Sequence, residues 1–412
     1  MNPTLRPHQE EKSKEILEIL NNHKICYLKG EVRSGKTITA LEACKLYGVK
    51  HLLFLTRKNA ISSIESDHSK MGYKYDITVI NYESVHKVEG DFDFVIYDEA
   101  HVLSAFPRPA KRVREIKKRF KSLPCILMSG TPSAESQSQY YHQFFVSNYS
   151  PFKEYTSFYK WAKEFVNVKQ KRIGTHIIND YSDAIESKIE PIIAPISVIM
   201  TQEDAGFEVN ITETIIEIEP PTLITNLANK LLEDRAIEGK NGYVMGETPA
   251  KLQSKVHQIY NGTVIIEKDD GSTEGVILSD YKAKAIKERF KGQKIAVMYY
   301  YQMELEMLKN VFGSDITTDL DEFNTTDKNF AIQQLSTEGM NISKADCLVY
   351  LNFSFSGKSY IQSRDRLTIK DRKDNNVYFI IEKNGINGKI LNIVKDKKSY
   401  NSRSFMKDFV KK

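Results

Sequence analysis

The chain has 412 residues, 41% hydrophobic and 27% charged, a composition that fits two or three globular domains and excludes a disordered or fibrous protein. Its 59 basic and 54 acidic residues leave a formal charge of +5, a mild excess that suits a polyanionic partner and an ordinary solvated surface equally. No apolar run approaches the roughly 18 residues of a membrane span and the start MNPTLRPHQEEK is polar, so neither a span nor a leader is expected.

In chain order, Leu5, Arg6, Pro7, His8 and Gln9 lead into an amphipathic helix predicted over Glu10–Leu20. The Gln9 carboxamide carries a donor and an acceptor that match an adenine edge, and it equally suits a first helical turn. The apolar run Ile25–Leu28 is followed by Gly30, Glu31, Val32, Arg33, Ser34, Gly35, Lys36 and Thr37, then by a helical pattern over Ile38–Leu46. Strand, G-x-x-x-x-G-K-T loop and helix in that order make a phosphate cradle. The glycines let backbone N–H groups turn inward, the helix N-terminus adds positive potential, and Lys36 reaches the β and γ phosphates. Thr37 is placed to hold a magnesium ion.

Strands are predicted over His51–Leu55, Ile77–Ile80 and Phe92–Tyr97, with a helix over Lys58–His68. Nearly continuous apolar strands alternating with helices point to a parallel sheet covered on both faces, whose chemistry lies at the strand carboxyl ends. Asp98, Glu99, Ala100 and His101 stand at such an end. There Asp98 can hold a metal ion through water while Glu99 polarises the attacking water. The next strand, Leu123–Met128, runs into Ser129, Gly130, Thr131 and Pro132, a turn that its position ties to the same site.

The stretch 136–278 is too long for a linker and reads as an inserted structure. Aromatics crowd Tyr140–Phe165 ahead of Lys163, Lys169, Lys171 and Arg172; they can stack on bases along a phosphate path, or form the core of a small helical subdomain. A strand over Gly206–Glu219, a helix over Leu223–Ala236, a helix and glycine turn over Lys251–Thr263, and a hairpin around Asp269, Asp270 and Gly271 complete it. Lys294–Tyr300 is an apolar strand, and the basic amphipathic tail Lys389–Lys412 packs back on the second half. Cys26, Cys44, Cys125 and Cys347 form no C-x-x-C pair and read as reduced core residues of a cytoplasmic protein.

Together, R-P-H-Q, G-E-V-R-S-G-K-T, F-L-T-R-K, V-I-N-Y-E-S, D-E-A-H and S-G-T-P resemble the first motor domain of superfamily 2 helicases and translocases. The segment Ile80 to Ser84 is closest to Swi/Snf-like members, particularly the compact ones carried by bacteriophages and mobile elements. In the second half, Leu335–Ile342 resembles the family's nucleotide-and-DNA coupling motif, and Tyr360–Arg366 its arginine-finger motif. That last motif reads Gln, two residues, Gly, Arg, two residues, Arg. Counting from Gln362, Asp365 replaces the glycine and Ile369 the second arginine, so Arg366 is the first choice of finger, with Arg364 and Arg372 as alternatives.

The resemblance implies an α/β fold of two RecA-like parallel-sheet P-loop motor domains, 1–135 and 279–412, with an inserted mainly helical subdomain at 136–278. It implies catalysis by Lys36, Asp98, Glu99 and Arg366 or Arg364. ATP would be held by Arg6, Gln9, Glu31, Arg33, Ser34, Gly35, Lys36, Thr37, Gly339 and Asn341, with Mg2+ at Thr37 and Asp98. A polynucleotide would meet Thr56, Arg57, Asn81, Tyr82 and Thr337, and His101, Ser129, Thr131 and Gln362 would couple the two. The implied activity is that of a monomeric ATP-dependent DNA helicase or translocase serving replication, recombination or repair of such an element's DNA. A duplex or branched-DNA translocase that separates no strands, an RNA helicase and a nucleotide-gated clamp are the alternatives.

Overall fold

Apolar runs in the first two hundred residues pair as one sheet, in strands β1 (Ile25–Gly30), β2 (His51–Thr56), β3 (Asp76–Asn81), β4 (Phe94–Tyr97), β5 (Cys125–Ser129) and, beyond the hairpin β6 (Lys169–Ile173) and β7 (His176–Asp180), β8 (Ser197–Met200). The computed structural model describes residues 4–31, 33–133, 136–173, 176–206, 210–239, 242–334, 342–364, 374–396 and 398–410. The chain divides into two compact units, Met1–Phe207 and Glu208–Lys412.

In the first unit the strand order is β3-β2-β4-β5-β1-β8, and every pairing is parallel. The sheet is covered on both faces, which is why its inner strands are apolar throughout instead of alternating. One face packs Cys26, Leu28, Leu52 and Phe54 against Ile16, Leu20, Leu41 and Ile64 of the helices Pro7–His23, Lys36–Tyr47 and Ile61–Met71. The other packs Tyr27, Leu53, Val95 and Tyr97 against Val113 and Ile116 of helix Lys111–Phe120, and against Phe144, Trp161 and Ile189 further on.

That second face corrects the expected inserted subdomain. Most of the aromatics of 140–165 are core residues of the first unit, Phe144 and Trp161 with no exposure at all. The reason is burial: a parallel sheet needs a second layer, and the helices Tyr140–Phe144, Phe158–Phe165 and Glu186–Ile193 are most of it. Residues 197–200 then return to the sheet as β8, with Gly30 opposite Met200.

The second unit holds β9 (Asn210–Ile218), β10 (Ala236–Gly239), β11 (Gly242–Met245), β12 (Thr263–Glu267), β13 (Thr273–Ile277), β14 (Ile295–Tyr299), β15 (Ile316–Thr317), β16 (Asn329–Gln333), β17 (Cys347–Tyr350) and β18 (Asp374–Glu382). A parallel sheet runs β15-β16-β14-β17-β18-β9, and an antiparallel one runs β10-β11-β12-β13. Here too the expected boundary moves: β9 pairs with β18 from Asn210 to Ile218, so 210–218 is an edge strand of this unit and not part of an insertion. The predicted β12–β13 hairpin forms, and Gly271 at its turn takes a positive φ of 79° that favours glycine. The tail helices Ile386–Val394 and Ser402–Phe409 bury Tyr400 and Phe405 in the same unit, with the Gln253 amide donating to the Tyr400 carbonyl.

A lysine is fully buried in this unit. Lys282 Nζ donates to Glu382 Oε2 at 2.7 Å and to Asn261 Oδ1 at 2.6 Å. All four cysteines are buried and unbridged. Among the described residues no helix is long and apolar enough to cross a membrane.

If 136–206 is structural to the first unit, a fragment spanning 1–206 is expected to unfold in one cooperative transition, whereas one ending at 135 aggregates or binds hydrophobic dyes. Trp161→Ala in the longer fragment should cost about 3–5 kcal/mol in denaturant unfolding; a loss under about 1 kcal/mol would place Trp161 outside the core.

Candidate active site

The carboxyl ends of the first unit's strands line up by register: Gly30 beside Met200, Lys29 beside Ser129, Leu55 beside Tyr97, and Thr56 beside Asn81. Ligand chemistry in open parallel sheets belongs at this edge. The first piece is the turn from β1 into helix Lys36–Tyr47. Gly35 is the N-cap with φ 91°, a left-handed backbone that favours glycine, and a Cβ there would overlap the Gln9 amide. At Gly30 a Cβ would strike the Lys36 stem, so the glycine lets that chain cross the loop. Lys36 Nζ reaches the carbonyls of Gly30 and Glu31 at 2.7 and 2.8 Å, over the concave side of the turn. Thr37 follows in the first helical turn, half-buried. Arg33 also holds a positive φ, of 65°.

Neighbouring segments fix this turn. Ser34 Oγ donates to Glu31 O at 2.9 Å, and His8 Nε2 donates to Ser34 O at 3.0 Å. Glu31 is tied to the end of β8, its N–H donating to Met200 O at 2.9 Å and its carboxylate accepting from Gln202 N at 2.7 Å. Arg6 is the exposed N-cap of the first helix. Gln9 differs from the adenine-reading expectation: its Oε1 accepts from Arg6 N at 2.9 Å, its Nε2 reaches Gly35 O at 3.4 Å, and only 4% of it is exposed. A carboxamide with both ends on backbone braces the loop.

The second piece is the Asp98–His101 turn. Glu99 has φ 48° and ψ 46°, left-handed values that cost a side-chain-bearing residue roughly 1–2 kcal/mol. Its surroundings hold it there: Val102 N donates to Glu99 O at 2.9 Å, and His101 Nδ1 lies 3.1 Å from Glu99 Oε2. Arg57 Nη2 stands 3.3 Å from His101 Nε2, and since a guanidinium only donates, Nε2 accepts and the ring proton sits on Nδ1. That proton faces Glu99 and, at 3.0 Å, Ser129 Oγ. Thr131 N donates to the same Ser129 hydroxyl at 3.1 Å. His101, Ser129 and Thr131 are thus brought together across β4 and β5, and a Cβ on Gly130 would stand 3.9 Å from Lys36 Nζ.

Asp98 is the electrostatic centre. Burial and the adjacent Glu99 carboxylate push its carboxyl up to about 6, against the opposing pull of the Thr56 hydroxyl and the Lys36 ammonium. Thr56 Oγ1 donates to Asp98 Oδ2 at 2.7 Å, and Tyr82 donates to the Asp98 carbonyl at 2.6 Å. These bonds correct two expected polynucleotide contacts. Thr56 has no exposure and Tyr82 2%, because both hydroxyls are spent positioning Asp98. Asn81 caps the following turn, accepting from Ser84 N at 2.8 Å. Arg57 stays half-buried at the edge.

The spacing of motifs did not reveal one brace. Tyr27, buried in β1, donates to Gln143 Oε1 at 2.5 Å, and Gln143 Nε2 donates to Pro132 O at 2.6 Å. The helix Tyr140–Phe144 therefore holds the turn after Ser129. A tyrosine inside an apolar strand was the available signal, since a buried phenol needs a partner.

In the second unit, Arg364 is committed to Glu213, 3.4 Å away, with its guanidinium over the Tyr360 ring, which gives this candidate finger a structural ion pair. Thr337, Gly339, Asn341, Arg366 and Arg372 lie outside the described residues, as does the Gln362 side chain. No protein-family model matches the chain, and no curated protein matches it.

The raised Asp98 fixes a pH signature. Folding favours its protonated form, so the contribution is full below the ordinary carboxylate range near pH ~4 and lost as pH rises through about 6. Asp98→Asn, which cannot ionise, is expected to raise Tm at about pH 8 in chelator, with the gain shrinking to nothing by about pH 4. A pH-independent gain, or a loss at pH 8, would remove the buried-charge account.

Proposed function

We propose that the chain is an ATP-driven motor on nucleic acid, with DNA as its track. The observation that carries this reading is the convergence of three segments at one sheet edge: the Lys36 turn, the Asp98–Glu99 pair and the Ser129–Thr131 turn. Lys36 and the N-terminus of its helix would bind the β and γ phosphates, Thr37 and Asp98 would hold Mg2+, and Arg6, Arg33 and Ser34 would complete the loop. Bound there, the ion would neutralise charge on the transferring phosphoryl group. Glu99 would orient and polarise the attacking water, its left-handed backbone and His101 fixing the carboxylate. Ser129 and Thr131 would transmit a change at Glu99 through the His101 proton.

Two parallel α/β units of six strands each agree with a RecA-like pair, and the likeness of I-N-Y-E-S to Swi/Snf-like proteins favours DNA over RNA. Arg57 and Asn81 remain as backbone contacts in the first unit. Phosphate contacts would dominate, so affinity should fall steeply with salt. A nucleotide-gated clamp is the alternative.

Lys36→Ala is expected to abolish turnover. Glu99→Gln should retain nucleotide binding and lose roughly 10²–10⁴-fold in hydrolysis; turnover near the parental rate would end the role given to Glu99. ATP hydrolysis at low salt, measured without polynucleotide and with single-stranded, duplex and branched DNA and RNA, separates motor from clamp. Stimulation by one DNA form supports the motor, and a flat response across all of them supports the clamp.

A further inference from the structure

The second unit carries a cavity of about 500 Å³ at the carboxyl ends of β14 and β16, roofed by β12 and β13. That volume is within the range of ligand pockets. Its walls include Gln258, Thr263, Tyr300, Gln302, Met303 and Gln333, and no charged side chain lines it among the described residues. Gly275 of β13 admits Met303, since a Cβ there would overlap the Met303 side chain. Gln258 is held by accepting from Ile265 N at 3.0 Å. Thr263 is 1% exposed, yet its hydroxyl has no hydrogen-bond partner among the described residues. A buried hydroxyl left so is costly unless something entering the cavity meets it.

We propose that this cavity takes a nucleobase turned out of a single-stranded stretch of the polynucleotide. Carboxamides present a donor and an acceptor in one plane, the pattern that meets a base edge. Half-buried Tyr300 offers a ring on which a base can stack, and the Met303 thioether forms an apolar floor. The neutral lining excludes the phosphate, which stays outside while the base enters. The site rests on the polynucleotide reading above and adds to it a contact with base instead of backbone.

The test compares two fluorescent single-stranded DNAs of equal length by anisotropy, one with all its bases and one abasic at its central positions. Stacking in such a site makes the complete strand bind roughly 5- to 150-fold tighter. Thr263→Val, which deletes the hydroxyl at constant shape, should lower that ratio about two- to tenfold while leaving Tm unchanged or higher. Gln302→Ala, an exposed position, should lower the ratio without changing affinity for the abasic strand. Equal binding of the two strands, or a ratio unmoved by both variants, overturns the base site and leaves the polynucleotide reading standing. If neither strand binds, the polynucleotide reading falls and the site with it. Displacement of bound DNA by a neutral peptide but not by free nucleosides would assign the cavity to a protein segment and overturn the proposal.

Discussion

Two carboxylates on consecutive residues at the end of a buried strand repel each other and lose water, and the arrangement around Asp98 and Glu99 is organised by that cost. Three devices meet it. The Thr56 hydroxyl and the Lys36 charge support Asp98, the Tyr82 phenol pins its carbonyl, and a left-handed backbone turns Glu99 away toward His101. Each device comes from a different strand end, so the pair is tolerated only in the assembled sheet. Removing one support would raise the cost on the others, because the charges share a poorly solvated space.

The same constraint explains which parts of the site were legible. Gly30 and Gly35 were readable because the backbone there must cross a lysine stem and adopt φ 91°, demands that few residues other than glycine meet. Asp98 was readable as a polar break at the end of an apolar strand. Thr56 and Tyr82 were misassigned for a physical reason: sequence position puts a hydroxyl at a strand end but leaves its partner open. Asp98 takes both hydroxyls. Gln9 follows the same logic, its amide spent on Arg6 and Gly35 before any base could use it.

The fold was legible where strands were long and apolar. It was not where a strand sits at an edge. β8 has four residues with Ile199 58% exposed, and β9 carries Glu213 and Glu217 among its isoleucines, so neither resembles the inner strands. Missing them made 136–278 look like an insertion, although its two ends complete two different sheets. The crowd of aromatics reinforced the error, since stacking surfaces and core share one composition. Burial separates them: Phe144 and Trp161 lie on the face that Tyr27 and Tyr97 also build.

The carboxyl edges of the two parallel sheets differ in chemistry. At the first, Lys36, Arg57, Asp98, Glu99 and His101 set fixed charges and an ordered proton at the ends of β1, β2 and β4. At the second, the ends of β14 and β16 open on amides, phenols and a thioether. Charge discriminates poorly among anions that share a phosphate, whereas a neutral pocket discriminates by shape and hydrogen-bond pattern. A chain that tracks a backbone gains nothing in phosphate affinity from the second edge. What that edge can add is a pause or preference wherever a base leaves the stack, a free-energy difference of only a few kcal/mol but one felt at every step along the strand.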